Sequence, residues 1–120
     1  MMRKILALVF ALACAGVQAA PLPPPARAEV EALLTRLQSS GCQFNRNGSW
    51  YSGADARSHL LRKLEYLEKK DLVKSADQFI DLGASSSSSS GKPYLVRCGA
   101  AAPVESKAWL SAELKAIRAH

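Results

Sequence analysis

Two cysteines, Cys42 and Cys98, bracket the middle of the chain, and they limit what it can fold into more than any other residues do. Their reading depends on the compartment, and the N-terminus speaks to that. Met1-Met2-Arg3-Lys4 is a short positive start, Ile5 to Ala13 a compact apolar run, and Gly16-Val17-Gln18-Ala19-Ala20 a small-residue stretch. This is the three-part pattern of a secretory signal peptide, with an apolar run too short for a membrane anchor. Cleavage is expected after Ala19, so that residues 1–19 leave and Val17 and Ala19 occupy the two positions that must be small. A cut after Ala20 would place Gln18 at one of them and Pro21 directly behind the cut. Cys14 lies inside the apolar run, but Leu12 stands one place out of the position three before a lipid-bearing cysteine. A cut there would also leave an unusually short signal, so a free product rather than a lipoprotein is expected. The exported chain then carries one cysteine pair into an oxidising environment, and the pair reads as one structural disulfide. Closing a loop of about 57 residues contributes about 4 kcal/mol in the chain-entropy model. No Cys-x-x-Cys occurs, and neither His59 nor His120 stands at ligand spacing from a cysteine, so no redox pair, metal site or cofactor is expected.

Removing 19 of 120 residues leaves 101, one domain near the lower limit of a self-sufficient core. Of 16 basic residues the signal takes Arg3 and Lys4, leaving 14 against 10 acidic ones and a net charge of +4. That balance permits contact with an anionic polymer or lipid without requiring it. The basic residues are dispersed, with Arg62-Lys63 and Lys69-Lys70 as the doublets of the mature chain, so no nucleic-acid arm is expected.

Residues 20–26 hold four prolines in the stretch Ala20 to Pro25 and read as an extended, mobile lead-in outside the core. The domain proper is expected over 27–120. From Arg27, the spacing of Val30, Leu33, Leu34 and Leu37 predicts a helix that Gly41 ends. Asn47-Gly48 between short aromatic-bearing runs predicts a hairpin. Ser52-Gly53-Ala54-Asp55 then caps a helix with Ala56, Leu60, Leu64 and Leu67 on its apolar face. Ser75 to Gln78 caps a short helix that buries Phe79, Ile80 and Leu82. The six serines 85–90 have nothing apolar to bury, so segment 84–91 is expected to be a flexible loop. A strand over Lys92–Cys98 and a helix from about Ser106, with Trp109, Leu110, Leu114 and Ile117 inward, complete the chain. The expected fold is α+β: a small antiparallel sheet, a hairpin plus one return strand, packed with three to four helices and stapled by Cys42–Cys98. The staple would join the sheet to its return strand or fix the first helix beside it.

The chain resembles a small bacterial family of exported proteins, the YfeK-like group of unknown function. The resemblance rests on Cys42 to Gly48, on Ala56 to Lys63, on Ser75 to Ile80, on Ser89 to Tyr94 and on the helix bearing Trp109-Leu110. It implies a Gram-negative envelope location, the periplasm, and brings no catalytic residues with it. Asn45, where the family has an apolar residue, and the pure serine run depart from its pattern.

Ser90-Gly91-Lys92 is not a phosphate loop, because Pro93 stands where Ser or Thr is needed and a strand follows in place of a helix. Serine and glycine amides with Lys92 remain a possible anion cradle, against the plainer reading of a turn. His59 has Asp55 four residues before it and a serine run elsewhere, the raw parts of a Ser–His–Asp set, yet no nucleophile elbow accompanies them. Arg46 and Asn47 place a cation and an amide at a hairpin tip beside Trp50 and Tyr51, suited to a carboxylate or a sugar. The leading expectation is a monomeric, non-enzymatic periplasmic binding or interaction module using Arg46, Asn47, His59, Lys63, Ser90, Gly91, Lys92 and Tyr94. Its partner would be an envelope component: a protein, a cell-wall polymer or a small anion. The alternatives are an envelope hydrolase built on His59 and a loop serine, and an accessory structural envelope protein.

Overall fold

A computed structural model describes residues 21–119; the expected signal segment 1–19, Ala20 and His120 lie outside the described residues. Helix α1 spans Pro24–Ser39 and begins three residues earlier than the apolar period alone implies. Proline suits a helix start, since its fixed φ is already helical and its missing N–H would find no partner there. Val30, Leu33, Leu34 and Leu37 form the buried stripe of α1. Of the expected lead-in 20–26, Pro24 to Ala26 already belong to α1, while Pro23 keeps extended backbone at φ −56° and ψ 147°. Leu22 is buried, and its N–H donates to the Glu68 carboxylate at 2.8 Å. A single leucine with one carboxylate partner suffices because the prolines around it have little conformational entropy to lose.

Strands β1 (Gln43–Arg46) and β2 (Ser49–Tyr51) form the hairpin, with Arg46 opposite Ser49. Asn47 and Gly48 both adopt positive φ, 50° and 89°, the pairing that a tight right-twisted hairpin needs. Helix α2 covers Gly53–Lys69, and the Ser52 hydroxyl accepts the Asp55 N–H at 3.1 Å. Its Ala56, Leu60, Leu64 and Leu67 face inward as the sequence spacing requires. Helix α3 (Ala76–Gly83) is capped the same way by Ser75, but Leu82, expected in the core, is exposed while Gly83 packs on Phe79 and Leu67.

Strand β3 is Leu95–Arg97, shorter than the run 92–98 because Pro93 cannot donate to a ladder and forms only an isolated bridge with Ser86. A fourth strand, β4 (Val104–Glu105), was not expected; it leads directly into α4 (Ser106–Arg118). The sheet is antiparallel throughout in the order β2-β1-β3-β4. The Cys42–Cys98 disulfide closes the end of the β1–β3 ladder beyond the Gln43–Arg97 pair, so it staples the sheet to its return strand. Phe44 and Val96 face the helices from the inner side of the sheet and join the α1, α2, α3 and α4 stripes in one core. Ser106, fully buried at the start of α4, donates its hydroxyl to the Ala84 carbonyl at 2.8 Å. Its N–H donates to the Tyr94 carbonyl at 2.8 Å, which fixes Tyr94 just before β3.

Candidate functional site

At the turn end of the hairpin, β1, α2 and the serine segment line a cleft of about 220 Å³. Arg46 and Asn47 reach it from the hairpin tip, His59 and Lys63 from one face of α2, and Ser87, Ser88 and Ser89 from the far side. Tyr94 forms its floor. His59 and Lys63 share a face because four residues nearly complete a helical turn. Tyr94 is buried with its ring against Phe44, centroids 5.1 Å apart.

The Tyr94 hydroxyl joins the two α2 side chains. Lys63 Nζ lies 3.1 Å from it and 3.1 Å from the Ser86 carbonyl, and His59 Nε2 lies 3.1 Å from the same hydroxyl. An ammonium has only hydrogens to give, so the phenol oxygen accepts from Lys63. The phenol's own hydrogen then has His59 Nε2 as its acceptor, which sets His59 as the Nδ1–H tautomer. That assignment agrees with the surroundings of the imidazole. Burial first, then the charges of Arg46, Lys63 and Arg62, push the His59 pKa down to about 4, so the ring is neutral at ordinary pH.

The serine segment is folded rather than a slack connector. The Ser87 N–H donates to the Lys92 carbonyl and the Gly91 N–H to the Ser87 carbonyl, both at 2.9 Å, with Gly91 at φ +75°. The Ser87 hydroxyl is buried and accepts from the Ser89 and Ser90 N–H groups at 3.3 Å. Asn47 then clamps segment to hairpin: its Nδ2 donates to Ser87 Oγ at 3.2 Å, and its Oδ1 accepts from Ser90 Oγ at 2.6 Å. The amides that might have cradled an anion are therefore spent on Ser87 itself.

Of the eight residues singled out from the sequence, Arg46, Asn47, His59, Lys63 and Tyr94 line this one cleft. Ser90 touches it through Asn47, whereas Gly91 only shapes the turn and Lys92 is exposed outside it. Ser87, Ser88 and Ser89 are the lining residues that sequence reasoning did not single out. A local signal existed in the spacing Ser87 to Ser90, at which a hydroxyl can accept a nearby main-chain N–H. The parts of a Ser–His–Asp set are not assembled: among the described residues no hydrogen bond joins His59 to Asp55 or to a serine hydroxyl, and its partner is Tyr94. Among those residues, too, no three of His, Cys, Asp and Glu cluster as metal ligands. No helix of the described residues is long and apolar enough to cross a membrane.

Fold and site define a small, disulfide-stapled α+β domain with a cleft lined, among the described residues, by two cations and no carboxylate. The chain belongs to the family of unknown function DUF5329, whose pattern matches residues 24–118. It is similar to the uncharacterized protein YfeK of Salmonella typhimurium, 38% identical over 94 residues, which cover 78% of this chain and 77% of the relative. No solved structure matches it.

Proposed function

We propose that this protein is a non-enzymatic periplasmic binding module that takes a small anionic group in the Arg46–Lys63 cleft. The observation that carries this reading is the uncompensated charge. Among the described residues neither Arg46 nor Lys63 has a carboxylate within ion-pair distance, although both are half-buried beside hydroxyl and amide donors. Half-buried cations without a counter-ion favour a bound anion, and the neutral His59 leaves that charge to Arg46 and Lys63. A volume of about 220 Å³ suits a phosphate or a carboxylate headgroup, below the usual range for a drug-sized ligand. The signal pattern and the disulfide support export to the periplasm. Mass spectrometry of a periplasmic extract, finding a chain that begins at Ala20, tests that part.

The binding part is tested by NMR titration of the mature, oxidised protein with acetate and with inorganic phosphate. Shifts should gather at Arg46, Asn47, His59, Lys63 and Ser87 to Ser89, and Lys63→Gln should weaken binding about tenfold, in line with the loss of one charge-assisted hydrogen bond. Shifts scattered over the surface, or indifferent to Lys63→Gln, would sink the reading.

A further inference from the structure

The side-chain acceptors in the wall of the cationic cleft are, Ser88 aside, already engaged within the protein. The Tyr94 oxygen and the Ser86 carbonyl accept from Lys63 Nζ, each at 3.1 Å. The Tyr94 hydrogen occupies His59 Nε2, and the Ser90 hydroxyl occupies Asn47 Oδ1 at 2.6 Å. Ser87 Oγ receives Asn47 Nδ2 at 3.2 Å and the Ser89 and Ser90 N–H groups at 3.3 Å. A hydroxyl oxygen has two lone pairs, so with those donors in place Ser87 gives its own hydrogen to Ser89 Oγ, 3.1 Å away. What remains is a set of hydrogens. The Arg46 guanidinium, the third hydrogen of Lys63, His59 Nδ1–H and the Ser89 hydroxyl have no hydrogen-bond acceptor among the described residues. The Ser88 hydroxyl, also without a partner there, is exposed.

These hydrogens come from three sides of the cleft: Arg46 on the hairpin, His59 and Lys63 on α2, and Ser89 on the serine segment. Two of the groups carry a full positive charge. Oxyanions differ in how well they answer such a set. A carboxylate brings two oxygens and one negative charge. Sulfate and hydrogen phosphate are tetrahedral dianions of similar size, but hydrogen phosphate keeps one O–H. That hydrogen needs an acceptor once it leaves water, and a wall made of donors offers it none. We infer that the cleft selects an unprotonated sulfuryl group, as free sulfate or as a sulfate ester, over hydrogen phosphate and over a carboxylate. The inference rests on the anion reading of the cationic cleft and adds the ligand class.

Isothermal titration of the mature, oxidised protein decides it, at a mildly alkaline pH where phosphate is a dianion with a single proton. The probes are sulfate, phosphate, acetate and methyl sulfate. Sulfate should bind about tenfold or more tightly than phosphate, which matches it in charge and shape and differs by that proton, and by the same margin over acetate. Ser88→Asp supplies the missing acceptor at an exposed position whose side chain makes no hydrogen bond among the described residues, so the fold is kept. It should narrow or reverse the preference, weakening sulfate about tenfold while phosphate loses little. Methyl sulfate separates the two sources: tighter than sulfate it assigns an ester, weaker it assigns the free ion, and each result supports the inference. Phosphate or acetate binding as tightly as sulfate, or a preference that Ser88→Asp leaves unchanged, overturns the inference and leaves the anion reading standing. Binding of sulfate and phosphate alike that Lys63→Gln does not weaken, or no binding of any probe, overturns the inference and the anion reading together.

Discussion

Tyr94 carries two loads at once: its ring is core against Phe44, and its hydroxyl is the meeting point of Lys63 and His59. The phenylalanine variant separates them. Tyr94→Phe keeps the ring packing and removes both hydrogen bonds, so a loss of about 1–2 kcal/mol is expected in urea unfolding, chiefly from polar groups left without partners. A variant as stable as the parent would mean that the Lys63–Tyr94–His59 arrangement contributes nothing to folding. His59 adds a pH dependence of defined sign. The unfolded chain takes up its proton from about pH 6.5 downward, whereas the folded protein resists it until about pH 4. This contribution is present in full above pH 6.5 and is lost as pH falls towards 4. Thermal unfolding followed over that interval should therefore show a shallower decline for His59→Gln than for the parent, and parallel curves would contradict the assignment. The sequence marked out His59, Lys63 and Tyr94 individually. It did not disclose their shared hydroxyl, because Tyr94 stands 31 and 35 residues from its two partners and local spacing carries no record of such a meeting.

Among the elements, the helices were the most legible, since three- and four-residue periodicity and serine caps act locally; α2 and α3 begin where Ser52 and Ser75 predict. The lead-in and the serine run were read less well, for opposite reasons. Proline composition concealed one buried leucine, and six identical residues concealed the one hydroxyl, Ser87, that becomes buried. Asn47 is what orders that run against the hairpin. Asn47→Gly keeps the positive φ of the turn but removes the amide, so amide hydrogen exchange at Ser87 and Gly91 should accelerate about tenfold or more while core amides are unchanged. Unchanged exchange would show that the segment holds its shape without the clamp. Gly53 is a second element-level constraint. A Cβ there would lie 2.6 Å from the Leu37 carbonyl oxygen, a main-chain atom that cannot turn aside, so the start of α2 is held hard against the end of α1. Gly53→Ala should cost about 1–3 kcal/mol despite the better helix propensity of alanine. A neutral or stabilising result in chemical denaturation would mean that the two helices can separate freely.

For the whole molecule, the disulfide and the packed stripes make a scaffold on which the cleft is carried at the hairpin end, away from the staple. Cys42 and Cys98 are 56 residues apart, so replacing both by serine should lower the unfolding free energy by about 4 kcal/mol on the chain-entropy estimate. A shift below about 1 kcal/mol would mean that the reduced chain already holds the β1–β3 ladder. The α+β class, the hairpin and the pairing of the cysteines were readable from the chain; the fourth strand was not, since Val104–Glu105 is two residues long and gains strand character only from its neighbour β3. Convergence of Arg46 and Lys63 into one uncompensated cleft is the feature on which the proposed function turns. The most direct test is the pKa of the His59 ring, measured by NMR in the free protein and again with saturating phosphate. A value of about 4 in the free protein, rising when phosphate cancels the charge of Arg46 and Lys63, is the expected result. A value that saturating phosphate leaves unmoved would contradict an anion bound beside Arg46 and Lys63.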